Sequence, residues 1–198
     1  MLKKMIEHKI NSKYDFIQGY YINDLSICDD LINFFENSKD KKQGLCNKGV
    51  VKSIKDSTDI NIHPMKSKFY VELTNYFNEL EKCLQVYKDK YKYCYYDTAT
   101  WYINDNYNIQ KYIPNQAYHQ WHCERGNLNT SNRHLVWMTY LNDIKQGGET
   151  EFYYQKLKIK PEKGLTLFFP SDWTFTHKGH TTIDEDKYII TGWYHLVK

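Results

Sequence analysis

From about residue 94 onward the chain breaks into short runs rich in Tyr, Trp, Ile, Val and Thr, each closed by a turn signal. That rhythm constrains the fold more than any other feature. Runs at 98–103, 109–113, 118–124, 134–141, 150–152, 157–159, 165–169, 174–176 and 188–196 predict strands. The breaks hold Asn-Asp, Pro-Asn, Gly-Asn, Gly147-Gly148, Pro161 with Gly164, and Pro170-Ser171-Asp172. Many short strands at close spacing imply a closed or double-sheet body such as a jelly roll.

The first half has a different texture. Ser26, with Asp29 and Asp30 in the following turn and apolar residues beyond, predicts a helix start capped by serine. Tyr70, Leu73, Phe77, Leu80, Leu84 and Tyr87 recur at steps of three or four, so a longer amphipathic helix is expected from about 66 to 91, with that stripe packed on a sheet. The polar stretch 39–57 between them reads as a mobile loop. Helices early and strands late give an α+β layout. The 198 residues suit a single domain, with 1–93 as mainly helical support and 94–198 as the jelly-roll core.

Composition excludes several classes. Cys28, Cys46, Cys83, Cys94 and Cys123 are odd in number and scattered, with no CxxC pair, which points to free thiols rather than a disulfide framework or zinc ribbon. No apolar run suits a signal peptide, and none approaches the ~18 residues of a membrane span, so a soluble cytoplasmic protein is expected. The net charge of +3 comes from 27 basic and 24 acidic residues, and only Arg125 and Arg133 carry guanidinium groups, so no strong nucleic-acid signature is present. Nineteen Tyr, sixteen Asn and two Ala fit an AT-rich genome; a virus would place the protein in host cytoplasm.

The chemistry concentrates at His122-Cys123-Glu124 and at His177. On a strand, residues two apart share a face, so His122 and Glu124 would aim at one spot and Cys123 would turn away. A third donor from His177 gives two imidazoles and a carboxylate, a set that leaves coordination positions open, as in non-haem Fe(II) oxygenases. Lys187 could hold the far carboxylate of a dicarboxylate co-substrate. His119-x-x-His122 and His177-x-x-His180 suggest a zinc site instead, but positions three apart on a strand face opposite sides. Arg125 and Arg133 could line a substrate mouth or form surface ion pairs. Trp121, Trp137, Trp173 and Trp193 read as core or pocket wall.

In order along the chain stand 112–124 with the ligand pair, Arg133 before Tyr140-Leu141-Asn142, Gly147-Gly148-Glu149-Thr150-Glu151-Phe152, and Pro161-Glu162-Lys163-Gly164. His177 with Lys187 ten residues on, then Trp193, complete the series. This series resembles the Fe(II)/2-oxoglutarate-dependent dioxygenases, in particular their prolyl 4-hydroxylase-like branch. The resemblance implies a double-stranded β-helix with N-terminal supporting helices. It implies His122, Glu124 and His177 as iron ligands and Lys187 as the partner of the distal carboxylate of 2-oxoglutarate, with Thr150, Tyr112 and Tyr140 nearby. The Lys187 spacing favours His177 over His180. Fe(II), 2-oxoglutarate, O2 and ascorbate are the small molecules implied, and the reaction is hydroxylation. A peptidyl side chain, proline first, leads the substrates; a free amino acid or other small molecule follows, and a nucleobase comes third. Two features depart from the family. Glu124 stands where Asp is usual, and one extra residue separates Tyr112 from His122, which makes Tyr118 a second candidate for the role of Tyr112. A carboxylate ligand also argues against halogenation. From a different class, a non-catalytic module holding zinc through His119, His122, His177 and His180 remains as the alternative. The oligomeric state is not legible.

Overall fold

The computed structural model describes residues 6–8, 16–46, 48–96 and 98–197. The elements are β1 (Ile6–His8), β2 (Gln18–Tyr21), α1 (Ser26–Asn37), β3 (Lys42–Gln43), β4 (Thr58–Ile62), α2 (Pro64–Ser67), α3 (Val71–Lys90) and β5 (Trp101–Tyr102). They continue with β6 (Tyr107–Tyr112), β7 (Arg133–Tyr140), β8 (Thr150–Phe152), β9 (Leu157–Ile159), β10 (Leu165–Pro170), β11 (His177–Gly179) and β12 (Lys187–Leu196). The larger sheet runs β1-β2-β10-β7-β12-β6-β4-β3, with β5 also on β12, and the smaller runs β11-β8-β9. Neighbouring strands are antiparallel throughout. This is the expected double-stranded β-helix with helices on its outside.

Both faces of the central strands are buried, and alternation decides which layer each side chain joins. On β7, Val136, Met138 and Tyr140 enter the layer between the two sheets, together with Phe152, Ile159, Leu167, Phe169 and Ile189. Leu135 and Trp137 point the other way, into the layer under the helices. There α1 contributes Ile27, Cys28, Leu31 and Phe35, and α3 contributes Leu73, Tyr76, Leu80, Cys83, Leu84 and Tyr87. Two buried threonines in this layer are satisfied in a chain: Tyr76 Oη meets Thr139 Oγ1 at 2.7 Å, and Thr139 meets Thr166 Oγ1 at 2.7 Å.

Several expectations need correction. The helix over 66–91 is interrupted. It leaves helical geometry after Ser67 and restarts at Val71, because Tyr70 adopts an extended backbone and sets its ring edge-on against Phe34, 5.0 Å between centroids. Tyr70 is therefore exposed, and Tyr76 and Cys83 join the buried stripe. Ser26 is the first helical residue rather than a cap; the Asp24 carboxylate accepts from its backbone N and from its hydroxyl at 3.0 and 2.7 Å. The stretch 39–57 is not a bare loop. It contains β3, and its buried Lys55 and Ser57 are both satisfied by Asp59, which pairs with Lys55 Nζ at 2.5 Å and accepts from Ser57 Oγ at 2.7 Å. Residues 1–93 also send β1–β4 into the larger sheet, beside their helices.

Residues 118–124 form no strand; isolated bridges, Tyr118 to Lys55 and His122 to His177, and backbone bonds to Ile54 and Ser171 tie them down. The expected strand at 174–176 is a 3-10 turn over Trp173–Phe175, with β11 starting at His177. The run at 98–103 shrinks to β5, since past the bulge at Tyr194/His195 only His195 and Leu196 remain to pair with it.

Gly192 sits where β12 crosses Trp137. A Cβ there would lie 2.6 Å from Trp137 Cζ2 and 2.8 Å from Tyr107 Cβ, both inside van der Waals contact. Gly192→Ala should therefore destabilise the fold by about 1–3 kcal/mol. In thermal denaturation this is a fall of roughly 2–4 °C per kcal/mol for a chain of this size; an unchanged midpoint would contradict the tight crossing.

Candidate active site

His122 and His177 exchange backbone hydrogen bonds in both directions, at 3.0 and 2.9 Å. That bridge sets their rings 4.4 Å apart. Each Nδ1 lies 3.0 Å from a main-chain carbonyl two residues upstream, Gln120 O for His122 and Phe175 O for His177. A carbonyl can only accept, so each Nδ1 carries the proton and donates it. In the neutral ring Nε2 then carries the lone pair that a metal needs, and each Nε2 lies 3.4 Å from Glu124 Oε1. The three donor atoms fall within 4.8 Å of one another, and no other group of metal-binding side chains occurs among the described residues. Glu124 is placed by the main chain, since its N and that of Arg125 donate to Ser171 O at 3.2 and 2.9 Å.

The second oxygen of Glu124 is held separately. Oε2 accepts from Trp193 Nε1 at 3.0 Å and from Arg133 Nη1 at 3.3 Å. Burial works to raise the Glu124 carboxyl, but its contacts with the two imidazoles win and hold it well below the usual carboxylate range. Burial, aided by the neighbouring His177, lowers His122 below its ordinary value. An ionised acid beside a neutral imidazole is the protonation state that metal ligation needs. Tyr118 stacks on the His122 ring, 3.6 Å between centroids at 8°, and fixes its plane.

These side chains open onto a cavity of about 320 Å³. Sheet alternation builds its wall. Asn108, Gln110 and Tyr112 on β6, Val136, Met138 and Tyr140 on β7, and Lys187, Ile189, Thr191 and Trp193 on β12 all face it at steps of two. Register puts Lys187 opposite Tyr112 and Ile189 opposite Tyr140. Lys187 Nζ donates to Gly148 O at 3.0 Å and lies 3.5 Å from His180 O and 4.9 Å from the Tyr112 ring centre. Both oxygen partners are neutral carbonyls. Burial pushes this amine down to about 8, with Glu149 opposing from further away. Tyr140 Oη donates to Thr150 Oγ1 at 2.6 Å, and Tyr112 Oη to Gln110 Oε1 at 2.8 Å. All seven residues singled out from the sequence therefore line one cavity.

Other candidates go elsewhere. His180 Nε2 pairs with Glu151 Oε2 at 2.6 Å and His119 is exposed, so the four-histidine zinc set is not assembled. Arg125 makes a forked pair with Asp172, at 2.6 Å to each carboxylate oxygen. Cys123 is half-buried and lines the cavity instead of turning away, because its segment is not a strand. Trp173 is 61% exposed rather than core or wall. Sequence reasoning missed Lys55 and Gln110 in the wall and the joint hold of Arg133 and Trp193 on Glu124. The alternation of β6 and β12 could have signalled Gln110 and Trp193, whereas Lys55 had no signal beyond a polar loop.

Residues 107–195 match the 2OG-Fe(II) oxygenase superfamily. The alpha-1 subunit of prolyl 4-hydroxylase from Gallus gallus is 31% identical over 75 residues, which span 34% of this chain and 14% of that subunit. Two solved structures share the fold over 92% of the chain. The viral collagen prolyl hydroxylase of Paramecium bursaria Chlorella virus-1, in its 2OG complex, is 21% identical at a TM-score of 0.66, with 97% of it covered. A prolyl hydroxylase from Trichoplax adhaerens, in complex with a hypoxia-inducible-factor peptide fragment, is 18% identical at a TM-score of 0.72, with 84% covered. Residues 107–195, which hold the triad and Lys187, therefore resemble the 2OG-Fe(II) oxygenase superfamily, and within it the prolyl 4-hydroxylase-like branch. Among the described residues no helix is long and apolar enough to cross a membrane.

If the triad is the metal site, His177→Ala should reduce bound Mn(II) or Fe(II) from one equivalent to near zero in equilibrium dialysis. His180→Ala should retain it. The reverse pattern would move the ligand to His180.

Proposed function

We propose that the chain is an Fe(II)- and 2-oxoglutarate-dependent hydroxylase acting on a side chain of an extended polypeptide, proline first. One observation carries this reading: the two-histidine, one-carboxylate triad and a buried lysine, whose hydrogen-bond partners among the described residues are two neutral carbonyls, open into the same cavity. The donor set fits iron, since three protein donors on one side leave positions open for co-substrate and oxygen. His122 Nε2, His177 Nε2 and Glu124 Oε1 would hold it. Once bound, the iron with 2-oxoglutarate and O2 supplies the oxidising chemistry, which yields succinate and carbon dioxide and places an oxygen atom into a C–H bond.

The protein's own part is binding, orientation and exclusion of water. The Lys187 ammonium makes a charge-assisted hydrogen bond to the distal carboxylate of 2-oxoglutarate, stronger in this dry pocket than a neutral one. The Tyr140–Thr150 hydroxyl pair offers further hydrogen bonds there. Tyr112 and Tyr118 are the remaining polar rings of the wall, with Tyr118 stacked on His122. Val136, Met138, Phe169 and Ile189 supply the apolar part of a wall that is otherwise polar.

A polypeptide substrate is supported by the surface beside His122. Trp121, Tyr153, Tyr154 and Trp173 form a continuous run of near-perpendicular rings, with centroids 5.1, 5.2 and 5.7 Å apart. Tyr153 and Tyr154 are more than half exposed, as is Trp173. Aromatic surfaces of this kind suit extended, proline-containing segments, which need little ordering to dock. The similar proteins named above, all prolyl hydroxylases, agree with this reading. A free amino acid would leave these rings unused.

The test is incubation in air with Fe(II), 2-oxoglutarate and ascorbate, with either a long proline-containing peptide or free proline. The peptide should gain the mass of one oxygen atom with stoichiometric succinate, and free proline should react more slowly. Absence of any 2-oxoglutarate turnover would refute the reading. Lys187→Met should raise the 2-oxoglutarate requirement by roughly 10–100-fold, the worth of a hydrogen bond to a charged group. The pH dependence follows from the lowered amine. Lys187 is charged below about 8 and neutral above it, so wild-type kcat/KM for 2-oxoglutarate should fall as pH rises through about 8. Lys187→Met should lack that fall; retaining it would assign the titration to another group.

A further inference from the structure

We propose that Arg133 and Trp193 are positioning residues that confine Glu124 to a single free oxygen, and that this hold suits the site to glutamate over the shorter aspartate. The inference rests on the metal-binding reading above. Glutamate has one more rotatable bond than aspartate, so an unrestrained Glu124 would pivot and lose more conformational freedom on ligation. It would also be free to offer both oxygens to one ion.

The geometry removes that freedom. Oε2 is occupied by the indole N–H of Trp193 at 3.0 Å and by Arg133 Nη1 at 3.3 Å, while Oε1 alone faces both imidazoles at 3.4 Å. Arg133 Nη1 also donates to the main-chain oxygen of Glu124 at 3.1 Å, so one guanidinium holds both ends of the residue. The two donors fix each other, since the guanidinium carbon lies 3.5 Å over the Trp193 ring. Both come from adjacent strands, β7 and β12, joined by a continuous ladder up to the Tyr194/His195 bulge. Glu124 itself lies on an irregular segment outside any strand. The clamp therefore ties a loop-borne ligand to two central strands of the larger sheet.

Aspartate cannot satisfy both demands, because its carboxylate is set back by about one C–C bond, ~1.5 Å. If its oxygen stayed on Trp193 and Arg133, it would withdraw from the imidazoles. If it reached the metal, the Trp193 N–H would lose its acceptor and Arg133 Nη1 would keep only the main-chain oxygen of residue 124, which is costly.

The test uses the full metal-free chain, titrated calorimetrically with Mn(II) and with Co(II), in the absence of 2-oxoglutarate and peptide. Four proteins are compared: wild type, Trp193→Phe, Glu124→Asp and the double variant. Trp193→Phe keeps a ring under Arg133 and deletes the donor, and it should weaken binding roughly 10–100-fold, as expected when a group orienting a ligand is lost. Glu124→Asp, although the family's usual acid, should also bind more weakly than wild type. In the double variant the two losses should not multiply, because aspartate gives up a restraint that is already gone. The Co(II) absorption of Trp193→Phe should change as Oε2 is released, while the metal-free thermal midpoints of the two single variants stay within a few degrees of wild type. Glu124→Asp binding as tightly as wild type, an unmoved Trp193→Phe, or losses that multiply would each overturn the proposal. Failure of wild type to bind either ion would overturn the metal reading itself.

Discussion

His122 and His177 lie 55 positions apart in the chain, yet their main chains exchange hydrogen bonds N to O in both directions, and the site depends on that pairing. It carries the two imidazoles to the same side at a fixed separation. Carbonyls at Gln120 and Phe175 then choose the tautomer, so both lone pairs point at the Glu124 oxygen. None of these contacts requires a regular strand on the His122 side. A single bridge to β11, together with backbone bonds from 124 and 125 to Ser171, suffices to place three donors.

The larger sheet does the rest. Alternate residues of β6, β7 and β12 face the cavity, and the intervening ones face the helices, so one set of strands builds both the site and the core. Trp137 and Met138 illustrate the division: neighbours in sequence, one under α3 and the other in the cavity wall. A perturbation of the sheet register would reverse both at once, which couples the integrity of the pocket to the stability of the fold. The helices contribute by covering the outer face and leave the cavity to the space between sheets.

Much of this was legible in the sequence, where the pattern is local. The short strands with turn residues between them appear almost as expected at 150–152, 157–159 and 165–170. His122 and Glu124 could be chosen from their spacing of two, and His177 with Lys187 from the ten-residue spacing that the family resemblance supplies. What stayed hidden was set by tertiary contacts. Lys55 and Asp59 look like solvated charges in a polar stretch, and only folding shows that they neutralise each other inside the wall. The 118–124 segment has strand-like composition but finds no continuous partner, so the alternation argument reached the right residues by a route the chain does not take. The break at 68–70 was missed because the apolar stripe begins at Tyr70, which caps α3 from outside instead of belonging to it.

The central claim is that three side chains hold one ion and leave room on it for 2-oxoglutarate. Anaerobic titration with Fe(II), followed by 2-oxoglutarate, examines it most directly through the visible absorption. A weak visible charge-transfer band that requires both additions, and that is lost in His122→Ala, is the expected result. A tightly bound metal whose spectrum ignores 2-oxoglutarate would mean a closed structural site, and would contradict the claim.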